Sequence, residues 1–488
     1  MIQAKATEYP YESNVELTAN AADGWEFTGW EGDLEGTDNP QTITVDSDKN
    51  VTAIFEEIIY SVDVTLEGEG DYSIQVVNGT EREGGYLYGT ELEIKITPNE
   101  EWNFVHWSGD LDGTNDPVAV TIQSDLSATA NLDNSPFAGG NGSEIYPYEV
   151  STVEQLQTIN DYTTAHFIQI NDIDAGETTN WNNGEGFKPI GDSIISFSGT
   201  YNGNDFTIVN LKIHRENESD IGLFGRLEGL ISNVTLLNVE IKGSSRVGAL
   251  VGSSTDATIQ NSSSTGKLDG GSVGGLVGQL YNSVVSGCYS EVDVTGDSGF
   301  VAGLVAYAQS SQIKFSHASG NIIGTDGNIG GIVGFHLSSI TKQSYFNGKV
   351  FGNSGRIGGL VGWNRGAEIY SSYASGEVSG MESVGGLVGV SSDNSFIEAS
   401  YSWGEVNGKE DVGGLIGVNG SEVLNSYCDN ESSAQDFCVG RGASDGVKGL
   451  TSSKMTGSSA QENMPEFDWE KTWMTVSGDY PILRWQDE

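Results

Sequence analysis

The chain has 488 residues, enough for two to four domains, but only 36% of them are apolar and 67 are glycine. That composition weighs against ordinary compact-enzyme packing and points to a chain rich in turns and close backbone contacts. A formal charge of −47 sets the surface against phosphate, so nucleic acid and anionic lipid are excluded as expected partners. Adaptation to a saline medium and association with calcium both fit this charge, and both readings stay open. No run approaches the ~20 apolar residues that a membrane span requires, so no membrane insertion is expected of this segment. The opening MIQAKATEYPYE has no basic-plus-apolar signal pattern.

The acid is unevenly placed. Residues 1–133 hold 28 Asp/Glu against 4 Lys/Arg, and residues 134–488 hold 41 against 18, which marks two regions of different kind. Within the first region, residues 21–55 superimpose on 98–132 at an ungapped offset of 77. Trp25, Phe27, Trp30, Gly32-Asp33, Gly36 and Pro40 then fall on Trp102, Phe104, Trp107, Gly109-Asp110, Gly113 and Pro117. After each proline comes an alternating strand, a turn at Asp48 or Asp125, and another strand. The segment from Ile59 to Glu91 supplies an opening hairpin to the second copy, while the first copy begins partway through. The natural chain is therefore expected to continue upstream with further copies. The recurring tryptophans are read as the core of each module, because a unit this small can hardly do without them.

This GWxFxxWxGD pattern, with its following G, P and TITVDSDKNVTAxF-like strand, resembles the divergent internalin-type B-repeat modules of bacterial surface proteins over residues 1–133. The resemblance implies small β-grasp-like spacers that extend a protein from the cell envelope, some with binding roles.

A linker over 134–143 leads into YPYEVSTVEQLQTIN, where Ser151 or Thr152 caps a short helix through Leu156 and Ile159. HFIQINDIDA, FKPIG and FSGTYNGNDFTIVNLKI then read as strands separated by Asn/Gly turns. From there a hexamer of the form VGGLVG recurs, ending at Gly252, Gly278, Ala306, Gly334, Gly362, Gly389 and Gly417, with a shorter IGLFG ending at Gly225. Its period of 26–28 residues marks a solenoid. Between the hexamers a second column aligns Ser263, Tyr289, His317, Tyr345, Tyr373, Tyr401 and Tyr427. Four residues earlier stand Ile259, Val285, Ile313, Thr341, Ile369, Ile397 and Val423, and even spacing along a strand predicts that both columns point inward. Short β segments broken by glycine, without helical periodicity, leave a right-handed parallel β-helix as the expected fold. Eight coils about 4.8 Å apart would extend on the order of 40 Å.

The hexamers closely resemble the GLUG motif, repeated about eight times in register, and the closing YCDNESSAQDFCVGRG, LTSSKM and FDWEKTWMTVSGDYPILRW resemble the end of that family. The likeness spans roughly residues 144–488. It implies a place in large bacterial surface proteins or in non-catalytic regions beside IgA-specific metallopeptidases. No HExxH is present: the nearest string, His214-Arg215-Glu216-Asn217-Glu218, lacks the second His, so the zinc-peptidase role does not carry over.

The expected fold class is all-β, a parallel β-helix solenoid preceded by two small β-grasp-like modules. The layout is a truncated B-repeat-like module over 1–56, a second over 57–133, the linker 134–143, a cap with the first strands over 144–220, GLUG coils over 221–427 and a closing segment over 428–488.

Chemistry is sparse. No GxSxG elbow, Walker loop, paired CxxC or EF-hand loop occurs, and His106, His166, His214, His317 and His336 are scattered. Cys428 and Cys438, ten apart in a polar loop, suit a disulfide in an oxidising compartment, and Cys428 stands where the GLUG family usually has tryptophan. Cys288 is read as a small buried residue. Glu377 and Glu405 occupy equivalent positions one coil apart in the column Lys267, Asp293, Asn321, Lys349, Glu377, Glu405. Such a pair is the candidate catalytic site, because retaining glycosidases hold two carboxyl groups roughly 5–5.5 Å apart. A solvated column of mixed charge is the competing reading, and it is preferred. Asp172, Asp174 and Asp205 are candidate calcium ligands, with Asx turns as the simpler account. No cofactor is expected, with calcium the one candidate. The expected role is a non-enzymatic structural or adhesive segment, extracellular or on the cell surface, monomeric within a longer chain and facing a host-surface or matrix ligand. The alternative is a polysaccharide-binding β-helix, or a polysaccharide-cleaving one acting as glycoside hydrolase or lyase.

Overall fold

A computed structural model describes residues 8–487, and the chain divides into two compact units at residues 141/142. Among the described residues the first unit holds thirteen strands: β1 (Ser13–Leu17), β2 (Trp25–Gly32), β3 (Gln41–Val45), β4 (Val51–Glu57), β5 (Ile59–Tyr60), β6 (Val62–Glu67), β7 (Gly70–Asn78), β8 (Glu81–Arg82), β9 (Gly85–Leu87), β10 (Glu91–Pro98), β11 (Asn103–Gly109), β12 (Val118–Thr121) and β13 (Leu126–Asp133). In the second module β7, β10 and β12 form one antiparallel sheet. A second sheet orders β11, β13 and β6, with β6 parallel to β13. Leu92, Ile94 and Ile96, alternate residues of β10, are buried with Trp107 between the sheets. Among the described residues this unit has no helix, so any β-grasp likeness is confined to its strands.

The shared Gly-Asp pair acquires a structural meaning. Gly32 and Gly109 turn the chain at φ +99° and +94°. The following aspartates then accept the amides of the returning strand, Asn50 N–H to Asp33 at 2.6 Å and Ser127 N–H to Asp110 at 2.8 Å. Trp30 and Trp107 each donate their indole N–H at 2.9 Å to a loop carbonyl, of Asp38 and Asn115. The expectation that every repeated tryptophan is core needs correcting at Trp25, which is 42% exposed. The first module has only the pairs β1–β3 and β2–β4, and no third strand among the described residues covers that ring.

The second unit is a parallel β-solenoid of about eight turns, preceded by α1 (Val153–Thr158). Thr152 caps that helix by accepting the Gln155 amide, and Ser151 bonds the Gln155 side chain. The FKPIG segment forms only an isolated bridge at Ile190 rather than a strand, since Pro189 cannot donate to a ladder. Three sheets of 11, 19 and 9 strands run the length of the solenoid. Inside, the hexamer leucine column, Leu276, Leu304, Ile332, Leu360, Leu387 and Leu415, is wholly buried. The glycine at the third hexamer position lies where successive coils meet: a Cβ on Gly303, Gly331 or Gly359 would come within 2.3, 2.1 and 2.1 Å of the next coil's carbonyl oxygen.

The tyrosine column departs from expectation. The aliphatic column points inward as predicted, with Ile259, Val285, Ile313, Thr341, Ile369 and Ile397 fully buried. Between it and the tyrosines, however, stands a left-handed residue: Asn261, Phe315, Gln343, Ser371, Ala399 and Asn425 have φ between +44° and +50°. Such a corner breaks the strict alternation on which the inward assignment rested, so the tyrosines face outward. The strain of a non-glycine left-handed residue, roughly 1–2 kcal/mol, recurs in these six coils, Gly287 taking the corner in the coil of Tyr289, and is offset by the residue that follows.

That residue is a buried serine. Ser316, Ser344, Ser372, Ser400 and Ser426 each accept the amide of the equivalent residue one coil earlier, at 3.1–3.3 Å, in an unbroken relay that begins at Cys288 N–H. Each hydroxyl also donates to the carbonyl two residues before it. A second relay runs through Ser283, Ser311 and Ser339 at the opposite corner. Cys288 holds a serine place in the first relay, and burial pushes its thiol up to about 12.

Replacing Ser372 by alanine removes both bonds at a dry corner and should lower solenoid stability by about 1–3 kcal/mol, read as a fall in the denaturant midpoint. Cys288→Ser should leave the midpoint unchanged or raise it. Equal midpoints for Ser372→Ala and the parent would show that the relay contributes nothing.

Candidate functional site

The outward tyrosines meet the closing segment, which folds back along the solenoid. Tyr289, His317, Tyr345, Tyr373 and Tyr401 stack face to face with centroids 4.8–5.2 Å apart. Met455, Met464, Phe467, Trp473 and Leu483 of the closing segment bury the ladder's C-terminal half. Tyr401 donates to the Pro481 carbonyl, Tyr427 to Glu466, and Trp485 to the Gln343 carbonyl at 2.9 Å. Cover fades toward the other end, where Tyr289 is 37% exposed.

The Cys428–Cys438 disulfide closes the loop before this segment, with Cα atoms 5.7 Å apart. Beside it the buried Asp429 caps the helical turn Asn430–Ser433 through the amides of Glu431 and Ser432, and accepts the hydroxyls of Ser452 and Tyr480. These bonds tie the disulfide loop to the closing segment.

On the outer face of the widest sheet, Lys212, Glu240, Lys267 and Asp293 stand in register on successive coils, lining a groove of about 710 Å³. The same column continues through Asn321 and Lys349 to Glu377 and Glu405. Lys349 pairs with Glu377 at 2.9 Å, and Glu405 accepts from Asn407 at 3.0 Å. The hydrogen bond that Lys349 donates to Glu377, with the charges of Glu377 and Glu405, raises the Lys349 pKa. Both carboxylates of the proposed pair are thus drawn into side-chain pairing at the surface.

Two of the calcium candidates are tied by hydrogen bonds to the next coil. Asp172 accepts the amide and hydroxyl of Thr207. Asp174 accepts from Asn210 and the Gly176 amide, and these bonds, the Asn210 one foremost, lower its pKa. Asp205 sits in a left-handed turn at φ +62°. Among the described residues no three His, Cys, Asp or Glu side chains are placed to share a metal ion.

Two clusters were missed in the sequence. Tyr307, Phe335 and Trp363, each directly after a hexamer, join Phe300 in an aromatic strip, with Arg356 4.0 Å above the Trp363 ring. The aromatic following three successive hexamers was the available signal. In the first coils Asp220 is buried between Arg226 and Arg246 beside a cavity of about 350 Å³.

These features define a parallel β-solenoid with a folded-back closing segment, carrying small β modules at its N-terminal side. The chain carries two copies of the Divergent InlB B-repeat domain, at residues 2–59 and 60–135, and GLUG motifs at 243–268, 269–295 and 353–379 within the solenoid. Halomucin of Haloquadratum walsbyi is 41% identical over 150 residues, which are 29% of this chain and 2% of halomucin. The "Putative Gly-rich membrane protein" of Evansella cellulosilytica is 33% identical over 142 residues, 28% of this chain and 16% of that protein. The chain thus spans a small fraction of these relatives' length. A crystal structure of a "putative immunoglobulin A1 protease" from Bacteroides ovatus aligns with a TM-score of 0.45 and 18% identity, over 72% of this chain and 96% of that one.

Inside the solenoid His336 is fully buried, its ring nitrogens bonded to Asn364 at 2.8 Å and Thr341 at 3.2 Å. Burial pushes its pKa down to about 4. Between the ordinary histidine value and about 4, the unfolded chain binds a proton that the folded chain refuses, so stability falls as pH falls through that window. The loss should reach on the order of 3 kcal/mol for this one group. Urea unfolding at pH 7 and pH 4.5 should show a smaller pH-dependent drop for His336→Gln than for the parent. An identical drop in both would remove His336 as its source.

Proposed function

We propose that this chain is a structural and adhesive segment of a secreted or cell-surface protein, presenting its outer faces to a matrix or host-surface ligand without chemistry of its own. The observation that carries this reading is the pairing of the exposed carboxylates with neighbours on adjacent coils, as at Lys349–Glu377 and Lys212–Glu240. Side chains so engaged stabilise the stack rather than wait for a substrate. The B-repeat domains and the names of the two relatives support a surface setting. No helix among the described residues is long and apolar enough to cross a membrane.

The second reading, a polysaccharide-binding or polysaccharide-cleaving β-helix, is favoured by the groove along Lys212, Glu240, Lys267 and Asp293. One experiment separates the two: incubation with a panel of neutral and acidic polysaccharides, reading both retention of the protein and polymer chain length. We expect chain lengths to stay unchanged. Depolymerisation by the parent that disappears in Glu377→Gln or Glu405→Gln would overturn the non-catalytic reading. Antibody labelling of intact producing cells checks the location, and labelling only after lysis would count against a surface role.

A further inference from the structure

The two positions that flank each hexamer form neighbouring columns on the outside of the nine-stranded sheet. The residue after the hexamer runs in register from Arg226 through Gln279, Tyr307, Phe335 and Trp363 to Arg441. The residue before it is Arg246, Phe300, Asn328 or Arg356 on four of the coils. Side chains meet across the two columns: the Phe300 and Tyr307 ring centroids are 5.2 Å apart, and the Arg356 guanidinium stands 4.0 Å above the Trp363 ring. Two residues further along their strands, Tyr281 and Arg365 face the same way as Gln279 and Trp363.

Charge on this strip runs against that of the chain. Five of the eight arginines in the sequence stand here, and no Asp or Glu flanks any of the five hexamers between Val273 and Gly389, in a chain with 69 acidic residues. The arginines Arg246 and Arg356 mark two places four coils apart, on the order of 20 Å. At the first, Arg226 and Arg246 share the single carboxylate of Asp220. At the second, Arg365 bonds Asp393 at 2.6 Å, while Arg356 donates to the neutral Asn328 at 3.1 Å. Each place thus holds one guanidinium more than the carboxylates bonded to it. Of the other acids lining the cavity beside Asp220, Glu218 is bonded to Arg215, and Asp192 accepts the Ile194 and Ile195 amides. Between the two places the surface is aromatic, and Tyr281 is 42% exposed. A planar guanidinium held over an aromatic ring is suited to grip a carboxylate or sulfate through paired N–H groups.

We propose that this strip, a proposal that rests on the adhesive reading of the chain, binds an acidic polysaccharide. Carboxylate or sulfate groups of the polymer lie at the two arginine places, and its sugar rings lie against the aromatics between them. Few and well-separated cations suit a polymer whose charges are spaced by neutral rings. Nucleic acid, with one charge per ~1.7 Å of duplex, would bring far more phosphates against the acidic remainder of the surface. An extended peptide would need a free strand edge. The strands that carry Tyr281, Tyr307, Phe335 and Trp363 are paired on both sides. The groove along Lys212, Glu240 and Lys267 belongs to another sheet and serves as the control.

The test immobilises polygalacturonate, dextran sulfate and neutral dextran and measures retention of the whole chain at fixed salt. We expect retention on at least one acidic polymer, weakened by added sodium chloride, and none on dextran. The two acidic polymers separate carboxylate from sulfate recognition. Arg356→Gln should lower the affinity about tenfold or more. Tyr281→Ala, at an exposed ring, should lower it with an unchanged melting temperature, and Lys267→Ala in the groove should leave it unaltered. Failure of the parent to bind either acidic polymer, or equal binding of dextran, would overturn the proposal. So would equally tight binding of soluble polyglutamate, which would make the strip an acidic-peptide site. Undiminished binding by both Arg356→Gln and Tyr281→Ala would overturn this face alone, since the adhesive reading fails instead on the labelling of intact cells.

Discussion

Everything in the solenoid depends on in-register stacking of coils, because each residue then spends its life against its own equivalent one coil away. A position is therefore selected as a column, and a column has its own physics. Glycine is required where one coil's carbonyl meets the next coil's Cα, as at Gly303, Gly331 and Gly359. A hydroxyl that both accepts and donates suits a corner where a buried amide points along the axis, which is the place of Ser316, Ser344 and Ser372. Aromatic rings in register stack face to face, as Tyr345 on Tyr373 with planes 3° apart.

The same constraint governs charge. Two like charges about 5 Å apart in water repel by about 1 kcal/mol, and a column of eight would multiply that penalty. The order Lys212, Glu240, Lys267, Asp293 avoids it by alternation. At Glu377 and Glu405 alternation fails, and Lys349 answers both: it bonds the first and feels the charge of the second. Lys349 thus offsets part of the like charge that the two neighbouring glutamates bring to this column.

The sequence made the period, the hexamer column and the inward aliphatics legible because these depend on spacing alone. Corner geometry was not legible in that way. Left-handed φ fell on Asn261 and Asn425, which favour it, but also on Phe315, Gln343 and Ala399, which do not. With no residue type marking the corner, the count of two per alternation ran through it and turned the tyrosines inward. The serine before each tyrosine was the missing signal, and Cys288 in the same column disguised it. The closing segment's aromatics were visible, but their partner surface could be named only once the tyrosines were known to face out. Of the aspartates near 172 and 205, Asp174 makes the local bond to the Gly176 amide that spacing can anticipate, whereas the bonds of Asp172 to Thr207 and of Asp174 to Asn210 reach the next coil and needed the fold.

The two B-repeat domains extend this point from legibility to energetics. Trp25 and Trp102 sit in the same motif, and nothing in the motif distinguishes a covered ring from an open one. Burial there is decided by a hairpin that belongs to a different stretch of chain. Apolar area left in water forgoes about 25 cal/mol per Å², and among the described residues the first module buries Trp30, Leu34 and Ile43 where the second buries eleven residues. In the solenoid each coil supplies the cover for the last, and the closing segment supplies it for the outward ladder. In the second B-repeat domain the cover is a discrete piece, the hairpin of β6 and β7.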